Sequence, residues 1–116
     1  MDYIYKIRPE DLVYAEEFRR RPIGHHSPGL QRVLSAFRGA PVKDKHFLLC
    51  VKPHKEWMLG QLSGIQGKPA RLHKNKIFRS LDEAEWAVFK LRWKQHTGQD
   101  LERELKKPAG NRRGAG

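Results

Sequence analysis

The segment Ser80–Trp93, SLDEAEWAVFKLRW, predicts a helix with apolar residues on two opposite faces. At about 100° per residue, Leu81, Ala84, Ala87, Val88 and Leu91 form one stripe, and Trp86, Phe89 and Trp93 form another almost directly across it. A helix that is apolar all round has to be buried all round, so the second stripe asks for a further layer of the same chain or for a partner. Its start is marked by Ser80-Leu81-Asp82-Glu83, the pattern of a capping box, in which the Ser80 hydroxyl and the Glu83 carboxylate each satisfy an exposed backbone N–H.

Little chain is available to cover such a helix. The 116 residues allow one domain at most, and we read residues 1–107 as a single small α+β domain and 108–116, PAGNRRGAG, as a flexible, disordered basic tail with no apolar anchor. Hydrophobic residues make up 38% and charged ones 32%, with a mean hydropathy of −0.79. A thin core and poor stability in isolation follow from that balance.

Two helices are expected ahead of this segment. Arg8-Pro9-Glu10-Asp11 places proline and carboxylates in a first turn, with Leu12, Ala15 or Glu16, and Phe18 following at helical spacing until Pro22 and Gly24. Ser27-Pro28 repeats the signal, with Ser27 as N-cap, and Leu30, Val33, Leu34 and Phe37 recur at i, i+3, i+4 and i+7 until Gly39 and Pro41. From His46 the period changes. The runs HFLLCVK and EWMLGQL, separated by Pro53-His54-Lys55, read as an antiparallel hairpin, and a third strand is expected over Ala70–Phe78. The fold class is therefore α+β: N-terminal helices, a small antiparallel sheet of about three strands and a long C-terminal helix. A short amphipathic piece at Asp100–Lys107, ended by Pro108, comes last.

The chain carries a formal net charge of +11, which favours an anionic partner: nucleic acid, an acidic protein surface or anionic lipid. The 24 Lys and Arg residues are dispersed, with only Arg19-Arg20-Arg21 forming a compact run, and this is a weaker sign of nucleic-acid binding than a basic stripe. A small RNA- or DNA-binding protein is nevertheless the alternative reading, with Arg19-Arg20-Arg21, Lys74, Lys76, Arg79 and the basic tail on phosphates and Trp57 or Trp93 for stacking. Cys50 is the only cysteine, and MDYIYKIRPED lacks the apolar core of a signal peptide. No run reaches the roughly 18 apolar residues of a membrane span, and the expected location is the cytoplasm.

Catalytic chemistry finds no foothold in the pattern. His25, His26, His46, His54, His73 and His96 lack ligand spacing such as CxxC or HExxH, so no metal ligands are assigned. His26 and Ser27 are chain neighbours, a poor arrangement for a base and its nucleophile, and Ser27 is better used as a cap. Glu10, Asp11, Glu16, Glu17, Asp82, Glu83 and Glu85 are read as carboxylates of first helical turns that complement the dipole. No phosphate-binding glycine motif is present, so neither catalytic nor cofactor-binding residues are expected. By contrast Trp86, Phe89, Arg92 and Trp93 have the composition of a protein–protein hot spot and are the expected partner interface.

Several segments together resemble the small (light) subunit of bacterial N,N-dimethylformamidase. They are His26-Ser27-Pro28-Gly29-Leu30-Gln31-Arg32-Val33 with Phe37-Arg38 and Pro41, the strand region with Glu56-Trp57, and Phe78 followed by Asp82-Glu83-Ala84, Ala87-Val88-Phe89 and Arg92. The resemblance implies a small chain bound to a larger catalytic subunit in an amidohydrolase that splits N-substituted formamides into formate and an amine. It implies a hetero-oligomer, α2β2 being a stoichiometry it allows, with a mononuclear iron held by the large subunit and no catalytic residue in this chain. A shorter N-terminal part and a more basic balance set this sequence apart from the family pattern.

Overall fold

A computed structural model describes residues 6–39 and 43–106; the tail expected over 108–116 lies outside them. The described residues form a mixed α+β fold, with four α-helices and a three-stranded antiparallel sheet among them. The chain divides into a helical unit, to which the described residues 6–39 and 93–106 belong, and a sheet unit, to which 43–92 belong. The helix α3, Leu81–Thr97, runs through the boundary between Arg92 and Trp93 and so belongs to both.

The helical unit opens with a single 3-10 turn, Pro9–Asp11, which leads directly into α1, Leu12–Arg20. The Asp11 carboxylate accepts the Arg8 backbone N–H at 2.9 Å and is itself buried. Leu12, Ala15 and Phe18 form the buried stripe of α1, Ala15 being the core residue of the Ala15–Glu16 pair. Helix α2, Pro28–Arg38, buries Leu30, Val33, Ala36 and Phe37, and Phe37 meets His96 of α3 edge-on at 6.1 Å between centroids. Helices α1 and α2 pack so closely that Gly29 lies against the Tyr14 ring. The last turn of α3 closes on Gly98, at φ +79°, whose N–H donates to the Lys94 carbonyl at 2.7 Å in a left-handed cap. Asp100 then caps α4, Leu101–Lys106, by accepting the Arg103 N–H at 3.1 Å.

In the sheet unit β1, His46–Lys52, β2, Glu56–Gln61, and β3, Arg71–Phe78, form a meander in the order β1-β2-β3. The register pairs His46 with Gln61, Leu48 with Leu59 and Cys50 with Trp57, and on the other side of β2 pairs Leu59 with His73 and Trp57 with Phe78. Directly opposed residues share a face, so His46, Leu48, Leu59, Trp57, His73 and Phe78 lie on one side. Phe47, Leu49, Met58, Gly60, Leu72 and Ile77 lie on the other. Two irregularities break the ladder: Val51 in β1, and the three-residue insertion Lys74-Asn75-Lys76 in β3 between the partners of Leu59 and Met58. Residues just before β1 continue the pairing, with the Asp44 N–H on the Leu62 carbonyl at 2.8 Å and the Leu62 N–H on the Lys45 carbonyl at 2.9 Å.

Gly64 ends that extension with φ +74° and its Cα hydrogen facing the chain, so that a Cβ there would stand 2.6 Å from the Lys43 Cα. Gly67 has a similar φ, +82°, but open space around it. Gly67→Ala therefore costs only the left-handed strain, about 1–2 kcal/mol. Gly64→Ala adds a backbone collision of roughly 1–3 kcal/mol. Urea unfolding of the two variants measures the difference; equal losses would show that Lys43 yields freely.

Candidate functional site

The motif His26–Gln31 forms a tightly bonded joint between α1 and α2. Ser27 caps α2: its Oγ accepts the Leu30 N–H at 3.2 Å, while its own hydroxyl donates to Glu17 Oε1 at 2.5 Å and its backbone N–H donates to Glu17 Oε2 at 2.8 Å. Both oxygens of one carboxylate are thus spent on one serine. These bonds hold the Glu17 carboxyl below the usual carboxylate range, the hydroxyl bond contributing most. Glu17 is not a first-turn carboxylate, as the sequence pattern had it: it sits near the C-terminus of α1, where the dipole is unfavourable, and serves the N-terminus of the next helix.

Around this joint, His26 Nε2 lies 3.1 Å from the Arg21 carbonyl, and the Gln31 side chain donates to the His26 carbonyl at 2.9 Å. The His26 ring also tilts against Phe18 at 5.7 Å. Ser27 and His26 therefore make separate bonds, and the serine proton is directed to Glu17 rather than to an imidazole base. The arrangement fixes a corner of the chain and does not activate a nucleophile.

On α3 the four residues singled out from the sequence have different surroundings. Trp86 stacks on Phe89, with centroids 5.7 Å apart and planes 18° from parallel, and the Lys90 ammonium lies 5.7 Å from the Trp86 ring centre. Arg92 donates from Nε and Nη2 to the His46 carbonyl at 3.3 and 2.9 Å, tying the helix to the first residue of β1. Phe89 and Trp93 each expose only 2% of their surface, whereas Trp86 and Arg92 are half-buried. The second stripe is therefore largely covered within the chain, and it is split between the two units: Phe89 belongs to the sheet unit, Trp93 to the helical one. At the start of α3 the Glu83 N–H reaches Ser80 Oγ at 3.4 Å. Burial pushes the Glu85 carboxyl upward, and the positive charge of Arg92 partly offsets this.

Two further features could hold a small molecule or carry polar chemistry. A cleft of about 520 Å³ in the helical unit is walled by Ile7, Pro9, Leu12 and Trp93, with His96 and Glu104 among its polar groups. At one end of the sheet, Arg71 bonds Asp44 at 3.0 Å, and His73 and Gln61 share a 2.8 Å contact. Among the described residues no group of three or more His, Cys, Asp or Glu side chains is placed to hold a metal ion. No helix among them is long and apolar enough to cross a membrane.

Sequence reasoning missed the Glu17–Ser27 bond and the Arg92 clamp. Neither has a spacing signature, because each joins residues brought together only by a turn or by tertiary packing.

The family model described as the N,N-dimethylformamidase alpha subunit matches residues 6–103, and the chain belongs to that family. An alpha subunit implies a partner subunit in a hetero-oligomer. No curated protein matches the chain.

The Glu17 carboxyl gives a pH signature. Because its folded value lies below the ordinary 4.5, its contribution to stability is complete above the unfolded value and is lost as pH falls through the folded one. Thermal melts should accordingly separate wild type from Glu17→Gln at neutral pH and bring the two together at strongly acidic pH. A gap that persists in acid would assign the effect to packing instead.

Proposed function

We propose that this member of the N,N-dimethylformamidase alpha-subunit family is the small, non-catalytic subunit of a hetero-oligomeric, cytoplasmic amidohydrolase. Its role is to stabilise and position a larger chain that hydrolyses N-substituted formamides to formate and an amine. The observation that carries this reading is the family match over residues 6–103, which takes in both units of the chain.

The fate of the polar side chains supports it. Glu17 and Asp100 are used as helix caps, Asp11 is turned onto the Arg8 backbone, and Arg92 holds a strand carbonyl. Such bonds build a scaffold, whereas a hydrolase needs groups aimed into a shared space where substrate can sit. The mononuclear iron of the enzyme belongs, in this reading, to the large chain. Trp86, held flat on Phe89 with part of its ring accessible, is the residue of α3 that meets that chain.

The isolated chain should release no formate from N,N-dimethylformamide, and the chain co-expressed with its large subunit should do so, with iron following the large subunit through chromatography. Turnover by the isolated chain would overturn the reading. Trp86→Ala should weaken assembly by about tenfold, in line with truncation of an interfacial tryptophan, while His26→Ala leaves turnover in the assembled complex intact. Sedimentation of the mixed subunits and a formate assay check the pair.

A further inference from the structure

The sheet unit has one face that the chain leaves open. Leu59 and His46, on the side whose strand is clamped by Arg92 of α3, are buried. On the opposite side Leu49, Leu72 and Ile77 expose 41%, 42% and 44% of their surfaces, and Val51 at the β1 irregularity is exposed as well. The three strands thus carry a contiguous aliphatic patch, with Met58 at its centre between Leu49 and Ile77. A patch of this kind on a small protein marks an interaction site.

We propose that this open face, centred on Met58, Leu72 and Ile77, is the surface through which the subunit docks on an apolar patch with an acidic rim on its large partner chain. The proposal rests on the subunit reading above and adds to the Trp86 contact a second one on the sheet, with the chemistry the partner presents there.

Charge identifies the rim. Between Lys43 and Arg79 nine Lys and Arg residues stand against two carboxylates, Asp44 and Glu56. Both are already engaged by cations of the same unit, Asp44 with Arg71 at 3.0 Å and Glu56 with Lys52 at 3.9 Å. Two of the cations, Lys74 and Lys76, lie on the edge strand, in the exposed insertion beside Ile77. Lysines on an edge also oppose pairing with a second copy of the same strand, since like charges would meet. An acidic partner receives them favourably and is steered by them.

The chemistry of the face selects protein over nucleic acid. Base stacking needs presented rings, but Trp57 and Phe78 lie on the covered side by register. The one aromatic residue of the open side, Phe47, lies across Gly60 and fills the space a Cβ would take. Aliphatic side chains have no π-face to offer a base, whereas they suit the apolar centre of a subunit interface.

The test uses the full chain and the large subunit encoded by the same organism. Leu72→Glu and Ile77→Glu should each lower affinity for the large subunit by about tenfold or more, and Val13→Glu, at a still more exposed apolar position of the helical unit, should leave it unchanged. Lys74→Glu with Lys76→Glu should weaken association and flatten its salt dependence. If the wild-type chain assembles and the two face variants assemble equally well, the docking surface is wrong and the subunit reading stands. If the wild-type chain does not assemble, the subunit reading itself falls, and this surface with it. Should the glutamate variants lose their circular dichroism, hydrogen exchange on the wild type decides: amides of β1 and β3 slow in the complex if the face docks, and unchanged exchange there overturns the proposal. Binding of single-stranded RNA that Leu72→Glu abolishes would assign the face to nucleic acid and overturn it equally.

Discussion

Helix α3 is the element on which the rest of the structure depends, because one continuous backbone supplies buried side chains to two separate units. Its first part, with Ala84 and Val88 almost wholly buried, belongs to the sheet unit. Its last turns, from Trp93 onward, belong to the helical unit. The two stripes do not divide between the units: Phe89 lies in the sheet unit with Ala84 and Val88, and Trp93 in the helical one. The clamp of Arg92 on the His46 carbonyl, at the residue before the boundary, ties the same helix to the start of the sheet.

The small size of the chain makes polar bonds carry much of the definition of its corners. Corners are closed by groups that satisfy backbone atoms no ladder can reach: the Glu17 and Ser27 side chains at the start of α2, the Asp100 carboxylate at the start of α4, and the Gly98 backbone N–H at the end of α3. An unsatisfied N–H at such a place costs about 1–3 kcal/mol when buried, which is large for a domain whose net stability is of order 5–15 kcal/mol.

That surface is shaped by asymmetry across one small sheet. A three-stranded meander has two faces, and the sheet unit holds a single helix segment, so one face has no covering element within the unit. The open face keeps its aliphatic residues exposed, with Lys74 and Lys76 beside them on the edge strand. Lysines there oppose pairing with a second copy of the same strand.

Local pattern was sufficient for the elements. The start of α2 at Ser27-Pro28, its stop at Gly39 and the change of period at His46 are signalled by a few residues each, and the helix and the strand follow those signals closely. The family was legible too, since the residues around Ser27 and Ala84–Phe89 that carry it lie within short segments. The sequence by itself could not say whether the second stripe of α3 is covered within the chain. Burial is a property of what comes to lie opposite, and in the folded chain Phe89 and Trp93 are almost wholly buried. For the same reason the exposed β face was invisible: Leu49, Leu72 and Ile77 have the hydrophobicity of core residues, and only the register of three strands put them together on one exposed side.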